Sequence, residues 1–582
     1  MISETTLRLV ALGDPALPST FTTHPILSNH LPASPSADIL PTANNCTMGL
    51  VVEIRHVLTG LALGASAFAI AAPAHAAWRV AETEHFKIFS EAPPEELAAT
   101  VTKLEKFDKI VRAMTGNSRP SSPVKVTMFQ VRDMLAVAAT FPYPSEGVGG
   151  YYNTTFKGPF LVTMRQDLRD SGATRGRSSQ SIRWGPEVTQ HEYLHHYMYQ
   201  YFPANYPTWY SEGFAEYYGT MAFGENNKVE IGHAPFFRMD VIKSTWLKAK
   251  DLLAAKSYAD VTDVGPLYAE GWLLTHYGAQ NKERGKQLAD YLNKVAKGMP
   301  YPEAATAAFG DLDQLDKELK AHAKNLTATQ FSLKPIDIGP IATRELTPLE
   351  NALMRYEIGL RAGFRRDGLA RVSDNARAAR AGSLDDPYGL AIQAEIDLLA
   401  ENPKAALVSA DKLVALKPDD PRGLLAKARA ELALLGKAAG GAQGDAARQL
   451  IARAAKAQPA NPEPLVAYYR SFADAGVLPP APAQNALMTA LKLLPQSDDI
   501  RYMAASDFEK RGMIDEAIVV ISPAAYGSFD GDEKEERKRD KETAKFAALY
   551  TGIPNNESAK KMLDRLNAAK GKSGTAVASS GS

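Results

Sequence analysis

The chain has almost no cysteine and no net charge, and each absence excludes some classes of function. In 582 residues, Cys46 is the single cysteine, and 66 Lys and Arg balance 66 Asp and Glu. One cysteine allows no intramolecular disulfide, so a metal site has to use histidine and carboxylate ligands. A formal net charge of zero creates no overall field toward nucleic acid or an anionic membrane surface. We therefore expect no nucleic-acid partner.

The apolar run near the N-terminus is short for a membrane span. Arg55 precedes an apolar stretch at 57–72, about 16 residues where a bilayer needs about 20. The Ala-His-Ala sequence at 74–76 fits the rule for signal peptidase cleavage. We predict a signal peptide over 48–76, cleaved near Ala76, with no stable membrane span afterwards. The protein would then be periplasmic or secreted; an uncleaved anchor and a buried alanine-rich helix are the alternatives.

The residues before this signal are out of place, because a signal peptide should begin the chain. Residues 1–47 are rich in Pro, Ser, Thr and Asn and have no sustained periodicity, and Met48 directly precedes the positively charged first part of the signal. We predict that 1–47 is a non-translated or disordered N-terminal extension and that translation starts at Met48. In that case Cys46 is absent from the protein. Mass spectrometry of the native protein would decide, since peptides from 1–47 would contradict this prediction.

The rest of the chain has the composition of a globular protein and the length of several domains. The hydrophobic fraction is 45% and the charged fraction 23%. Alternating patterns predict strands at 84–89, 124–129 and 159–164, and a helix follows Pro93. We expect one mixed domain over 77–333, and a linker over 334–346 because Pro335 and Pro340 interrupt it.

The C-terminal part reads as repeated helices. It is rich in alanine and leucine at helical spacing. Pro418, Pro459 and Pro495 recur at intervals of about 41 and 36 residues, near the 34-residue period of helix–turn–helix repeats. Residues 347–550 resemble degenerate tetratricopeptide repeats, and an irregular helical bundle is the alternative. For 551–582 we predict a helical end and a disordered tail.

The strongest chemical motif is H-E-Y-L-H at 191–195. Four residues make little more than one helical turn, so His191 and His195 point to the same side and can bind one cation. Glu192 projects on the adjoining flank, where a carboxylate can take a proton from a zinc-activated water. This is the chemistry of H-E-x-x-H sequences. The alternative is a helix with surface histidines and no metal.

A second segment supplies a third ligand. Glu212 lies seventeen residues after His195, within P-T-W-Y-S-E-G-F-A-E-Y. H-E-Y-L-H-H followed by this segment resembles the gluzincin metallopeptidases, the thermolysin and aminopeptidase-N-like superfamily, and looks closest to bacterial peptidase MA-like domains. The resemblance covers about 78–325 and implies that Glu212 is the third zinc ligand. Glu216, on the same helix face, is the alternative ligand or an acceptor for a histidine N–H.

The resemblance implies an α+β zincin-like metallopeptidase domain with one zinc ion per chain, followed by an all-α helical-repeat (TPR-like solenoid) domain. It also implies an edge strand over the zinc, which we place at 160–164, to pair with an extended substrate. Tyr268 and His276 are candidates for stabilising the transition state, with core packing as the alternative. His196 points away from His195 and is expected to pack.

Two departures leave the cleavage mode open. The gap to Glu212 is shorter than in aminopeptidase-N-like enzymes, and Gly147–Asn153 lacks the acidic chemistry that binds a free N-terminus. Endopeptidase action is therefore at least as well supported as aminopeptidase action. Five arginines could bind substrate carboxylates or form a solvated loop. They are Arg165, Arg169, Arg175, Arg177 and Arg183.

The leading hypothesis is an exported zinc-dependent metallopeptidase that acts on a peptide or protein, with Glu192 as the general base. Its repeats would form a module for a protein partner. One alternative is a TPR-type interaction scaffold whose peptidase-like domain binds without turnover. Another is a zinc hydrolase with a different substrate, because the motif specifies water activation and the pocket selects the substrate.

Overall fold

The computed structural model describes residues 24–25, 77–141, 148–165, 184–204, 206–256, 260–527, 557 and 559–579. The predicted signal peptide at 48–76 lies outside these residues, as do most of 1–47 and of the arginine-rich loop. In the described part, no helix is both long and apolar enough to cross a membrane.

The strands form two sheets. In the described residues they are β1 (His24–Pro25), β2 (Arg79–Glu82), β3 (Phe86–Ser90), β4 (Val126–Val131), β5 (Gly150–Thr155), β6 (Gly158–Met164), β7 (Ala222–Phe223), β8 (Lys228–Ile231), β9 (Thr329–Ser332) and β10 (Thr343–Glu345). The larger sheet has the order β1-β5-β6-β4-β3-β2-β10, and the smaller has the order β7-β8-β9. The pairs β3–β4 and β4–β6 are parallel, and the other pairs are antiparallel.

Helices surround the larger sheet. In the described residues of the first half they are α1 (Pro94–Thr115), α2 (Met134–Ala138), α3 (Trp184–Tyr201), α4 (Thr208–Gly219), α5 (Phe236–Ser244), α6 (Ala249–Ala254), α7 (Val264–Gln280), α8 (Lys282–Ala296), α9 (Tyr301–Phe309) and α10 (Leu312–His322). Helix α1 begins with a proline in its first turn and ends at Gly116, whose φ of 67° suits glycine. Its apolar face packs with α3, α4 and one face of the sheet in an aromatic-rich core.

The second half is a stack of helix pairs joined by short turns. In the described residues these helices are α11 (Pro348–Ala362), α12 (Leu369–Ala379), α13 (Pro387–Leu399), α14 (Pro403–Leu416), α15 (Pro421–Leu435), α16 (Asp445–Ala457), α17 (Pro462–Ala473), α18 (Ala481–Leu493), α19 (Asp498–Lys510), α20 (Ile514–Gly527) and α21 (Ala559–Ser579). Consecutive helices contact each other along the stack. The helical-repeat half expected from the sequence is therefore present.

A local signature starts many of these helices. The side chains of Asp386, Asn402, Asp420 and Asn461 each accept a hydrogen bond from the first turn of the following helix, and proline is the next residue. An Asp or Asn cap satisfies a free backbone N–H, and proline suits the first helical position because it has no N–H to lose. The recurring turns in the sequence are thus helix starts.

Three predictions differ from the structure. Strand β6, which contains 160–164, lies between β4 and β5, so its prediction as the edge strand was wrong; the outermost strands are β1 and β10, and β5 lies next to β1. The predicted linker at 334–346 contains β10, which adds to the sheet beside β2. The predicted disordered tail contains the end of α21, which continues to Ser579, and Met562 and Leu566 near the start of this helix are buried in a cluster with α17–α20.

The two halves share their cores. One face of the sheet, including Phe129 and Val162, packs against Met354 and Ile358 of α11, the first helix of the repeats. Val124, just before β4, is buried in the same cluster as the repeat helices α17–α21. The boundary predicted at 347 therefore separates the sheet from a helix that covers it.

Candidate metal centre

Two helices bring His191, His195 and Glu212 together. The Nε2 atoms of the two histidines, one turn apart on α3, are 3.1 Å from each other. From α4, Glu212 Oε2 lies 3.1 Å from His191 Nε2 and 3.5 Å from His195 Nε2. All three side chains are buried. Within the described residues they form the one group of at least three His, Cys, Asp or Glu that could hold a metal ion.

The spacing and the donor set fit zinc. Tetrahedral zinc with bonds of about 2.0–2.1 Å places neighbouring ligand atoms about 3.3 Å apart. The three observed distances of 3.1, 3.1 and 3.5 Å lie close to this value. Two imidazoles and one carboxylate are ligands that zinc takes in hydrolytic sites, and three protein ligands leave one coordination position open. The arrangement is suited to activating a water molecule.

Close backbone contact between helices sets the position of Glu212. A Cβ added to Gly213 would lie 2.3 Å from the carbonyl oxygen of Gly271 on α7. A Cβ on Gly271 would in turn lie 2.3 Å from the carbonyl oxygen of Trp209. Helices α4 and α7 therefore meet where no side chain fits between them. Because Gly213 directly follows Glu212, this contact fixes α4 at the position next to the glutamate that faces the histidines.

Further polar side chains hold the ligands in place. Ser211 Oγ lies 3.3 Å from His195 Nδ1 and also forms a hydrogen bond with the hydroxyl of Tyr199. Gln190 Nε2 donates to the carbonyl oxygens of Gly219 and Met221, at 2.6 and 3.0 Å, and so joins α3 to the end of α4. Partners of this kind orient metal-binding histidines. Sequence analysis did not identify them, because their role depends on which helices meet.

The charges of the triad stabilise one another. Burial acts to raise the pKa of Glu212, but the two histidines hold that pKa well below its ordinary value. Burial acts to lower the pKa of His191, and the adjacent carboxylate of Glu212 outweighs it and raises that pKa. A buried carboxylate thus compensates the charge of the imidazoles that it faces.

Glu192 is buried beside the triad, and neither of its carboxyl oxygens forms a hydrogen bond of ordinary geometry with the described residues, although the backbone of Tyr152 acts on it as a weak donor. Burial raises the pKa of Glu192 to about 8, although the charge of His191 acts to lower it. Leaving a buried carboxyl group unpartnered costs about 1–3 kcal/mol or more. A water in the open position of a metal would supply the missing partner. The orphaned carboxyl group is therefore a second observation that fits a hydrolytic metal site.

Glu216 has a different partner. Its Oε1 accepts hydrogen bonds from Arg238 Nε at 2.8 Å and Nη2 at 2.7 Å. The guanidinium of Arg238 also lies 4.4 Å from the ring centre of Tyr268. The structure thus places Glu216 outside the triad, and Tyr268 next to the group that pairs with it. Arg238 is buried and was missed by sequence analysis, since nothing in the local pattern of α5 marks it.

The other candidates lie away from the triad. His276 Nδ1 is 2.8 Å from His322 Nε2, and burial lowers the pKa of His276 to about 4. His196 is buried next to the rings of Tyr152 and Tyr193, and burial lowers its pKa to about 3. The contacts of both histidines agree with a packing role. Of the five arginines, Arg165 lies 3.4 Å from Glu96, and the others lie outside the described residues.

Strand β5 runs alongside the metal-binding helix. A Cβ added to Gly150 would lie 2.7 Å from Val188 Cγ1, so the strand approaches α3 where glycine permits it. Further along, the ring of Tyr152 lies 6.0 Å from that of His196, and the backbone of Tyr152 is near enough to Glu192 to lower its pKa. Strand β5, which lies next to the two-residue strand β1, thus borders the site.

No family model matches the chain, and no curated protein matches it. Among solved structures, TTC0263, a thermophilic TPR protein of Thermus thermophilus, aligns at 22% identity and a TM-score of 0.25, over 32% of this chain and 91% of that one. A MamA RS-1 ArsTM double mutant aligns at 14% identity and a TM-score of 0.24, over 33% of this chain and 97% of that one. TM-scores this low establish nothing about function.

Proposed function

We propose that the chain is a zinc-dependent metallopeptidase of the gluzincin type, with one zinc held by His191, His195 and Glu212. The observation that carries this proposal is the triangle of three buried ligand atoms, 3.1 to 3.5 Å apart, beside an unpartnered glutamate. The resemblance of both motifs to gluzincins supports the same assignment. The Glu216–Arg238 pair supports Glu212 as the ligand, because Glu216 is already engaged.

The residues of the chain have separate roles in the reaction. Bound zinc supplies a Lewis acid that activates water and polarises the scissile carbonyl group. Glu192 accepts the proton of the attacking water and delivers it to the leaving amine, as a general base and then a general acid. Ser211 keeps the His195 ring oriented by its contact with Nδ1.

The substrate class that fits is an extended peptide. Strand β5 lies beside the site, and the two-residue strand β1, at the end of the sheet, pairs with it antiparallel, with His24 opposite Tyr152 and Pro25 opposite Tyr151. Because β1 belongs to the N-terminal segment that we expect to be absent from the exported protein, β5 would then be the edge strand. An edge that accepts an extended backbone can bind a peptide by strand addition. The apolar run and Ala-His-Ala sequence before residue 77 support export to the periplasm or the medium.

An interaction scaffold is the second candidate, and the helical-repeat half favours it. In this function the triad would bind zinc for structure, and the peptidase-like half would bind its partner without cleaving it. A zinc hydrolase with a non-peptide substrate would use the same ligands. Only the first candidate cleaves peptide bonds, so zinc content and peptide hydrolysis together separate it from the other two.

The test compares the wild type with Glu192→Gln and with Glu303→Gln, a matched change at an exposed glutamate of α9. We expect about one zinc per chain in all three proteins. Hydrolysis of denatured casein should occur in the wild type and Glu303→Gln and be lost in Glu192→Gln. Zinc without hydrolysis of casein or of a peptide library in the wild type would favour the scaffold, and no zinc would refute the site.

A further inference from the structure

The turn between β5 and β6 reaches from the metal-binding half into the helical repeats. Lys157, in this turn, places Nζ 2.5 Å from Glu395 Oε2 on α13 and 3.3 Å from Glu463 Oε2 on α17. Arg361 of α11 donates from Nη1 to the carbonyl oxygen of Lys157, at 3.2 Å. Three repeat helices therefore hold both the side chain and the backbone of one residue.

The partners of Lys157 belong to a continuous network of charges. Arg422 of α15 donates to Glu395 at 2.6 Å and to Glu357 of α11 at 3.0 Å. Arg429 of α15 donates to Glu463 at 3.0 Å. The three glutamates are largely buried, between 9% and 13% exposed, so each depends on these cations for compensation. Lys157 is the member of the network that comes from the sheet.

The helices involved are the first members of four successive pairs. Residues of α11, α13, α15 and α17 contact the turn or the charges that surround Lys157. Apolar contacts continue beside them, where Phe156 packs against the cluster that contains Val124 and Val466. Stacked repeats present extended surfaces of this kind to their partners. In this chain the surface is occupied by a turn of the same chain.

The opposite end of β5 is the end that borders the metal centre. Gly150 touches α3 and Tyr152 lies beside Glu192, whereas Lys157 lies two residues beyond Thr155, the last residue of the strand. Six residues of strand span about 20 Å. The strand is therefore attached to the metal-binding helix at one end and to the repeats at the other. A shift at the repeat end would change the position of the backbone groups beside the site.

We propose that the helical repeats position β5 for substrate pairing, with Lys157 as the positioning residue that joins them. This inference rests on the proposed function only for its effect on hydrolysis. Its structural part, the ordering of β5 by the repeats, stands apart from catalysis. The surface of the repeats around Lys157, where a protein partner would be expected, contacts the peptidase half of the same chain instead.

The test uses the full chain and the substitution Lys157→Met, which keeps the length of the side chain and removes its charge. Lys157→Arg is the conservative variant. Lys412→Met is the matched control, because Lys412 pairs with Asp385 on the exposed surface of the repeats. Glu463→Gln removes the charge of a repeat residue that pairs with Lys157, and it replaces Lys157→Met in the test if that variant folds poorly. Zinc content, hydrogen exchange of the β5 amides and casein hydrolysis are measured for each protein.

In Lys157→Met we expect zinc content to stay at one per chain, while exchange of the 150–155 amides quickens. The kcat/KM for casein should fall about tenfold or more, mainly through KM, since misplacing a binding group weakens substrate alignment. In Lys157→Arg the exchange of the β5 amides and the kcat/KM should both be close to those of the wild type. Lys412→Met should change neither the exchange nor the kcat/KM. Equal exchange and equal kcat/KM in wild type and Lys157→Met would overturn the proposal. If the β5 amides exchange faster in Lys157→Met but the wild type does not hydrolyse casein, the proposed peptidase function is refuted. The role of Lys157 in positioning β5 would still hold.

Discussion

At the residue scale, the choice between two glutamates decides the identity of the site. Both Glu212 and Glu216 lie on the buried side of α4, and their spacing in the sequence does not separate them. In the structure Glu212 faces the two histidines, and Glu216 faces Arg238. A carboxylate that already compensates a buried guanidinium is poorly placed to bind a second cation. The distinction follows from a contact between α4 and α5 that no local pattern reveals.

We expect Glu212→Gln to lower zinc affinity about 100-fold or more, because it removes a charged ligand. Glu216→Gln should lower it much less, since that side chain contacts Arg238 and not the triad. Zinc content after dialysis against graded chelator concentrations measures both. The reverse order of affinities would mean that Glu216 is the ligand.

Ser211 provides a finer test of the same centre. Its hydroxyl contacts His195 Nδ1 and orients the ring. Ser211→Ala should lower zinc affinity or kcat about tenfold, in the range found for partners of metal ligands. Ser244→Ala, on the exposed side of α5, is the control. An unchanged affinity and rate in Ser211→Ala would show that the ring is held by packing alone.

At the element scale, the sequence predicted which segments form strands and helices better than it predicted their neighbours. The pattern at 159–164 correctly indicated a strand, and side chains on both faces of that strand are buried. Its placement as the edge strand was wrong, since a strand that is buried on both faces and has a parallel neighbour lies inside the sheet. Pairing between distant segments, such as β10 with β2, depends on the closed fold. The periodicity of the sequence carries no information about which distant strands pair.

The contact between α4 and α7 is the element-scale feature that places Glu212. Gly271→Ala puts a methyl group 2.3 Å from the carbonyl oxygen of Trp209, so the helices have to separate. We expect a loss of about 1–3 kcal/mol in the free energy of unfolding, with weaker zinc binding. Chemical denaturation measures the first effect and chelator dialysis the second.

Gly382→Ala is the control for this prediction, because a Cβ at that position meets no atom within 4 Å. Its free energy of unfolding should change by less than about 0.5 kcal/mol. A Gly271→Ala protein as stable as Gly382→Ala would show that α4 and α7 are not in backbone contact.

At the scale of the whole molecule, the two halves are not independent domains. The sheet has helices α1 and α3 on one face and the repeat helix α11 on the other. Sequence analysis placed a boundary at 347 because the composition changes there. The composition does change, but Met354 and Ile358 of α11 still cover Phe129 and Val162 of the sheet. Burial across a boundary cannot be read from the helical pattern of α11 alone.

A fragment of residues 77–346 should therefore expose one apolar face of the sheet. We expect it to aggregate or to bind a hydrophobic dye much more strongly than the chain from residue 77 to its end. Light scattering and dye fluorescence on the two proteins measure this. A monomeric 77–346 fragment that binds no dye would mean that α11 is dispensable for the sheet.

The central claim is a zinc ion bound by His191, His195 and Glu212, and anomalous diffraction at the zinc edge tests it most directly. We expect one peak per chain, about 2.0–2.1 Å from the Nε2 atoms of both histidines and from a carboxylate oxygen of Glu212. A zinc-loaded crystal with no peak at this position, or with the peak bound by Glu216 in place of Glu212, would contradict the account.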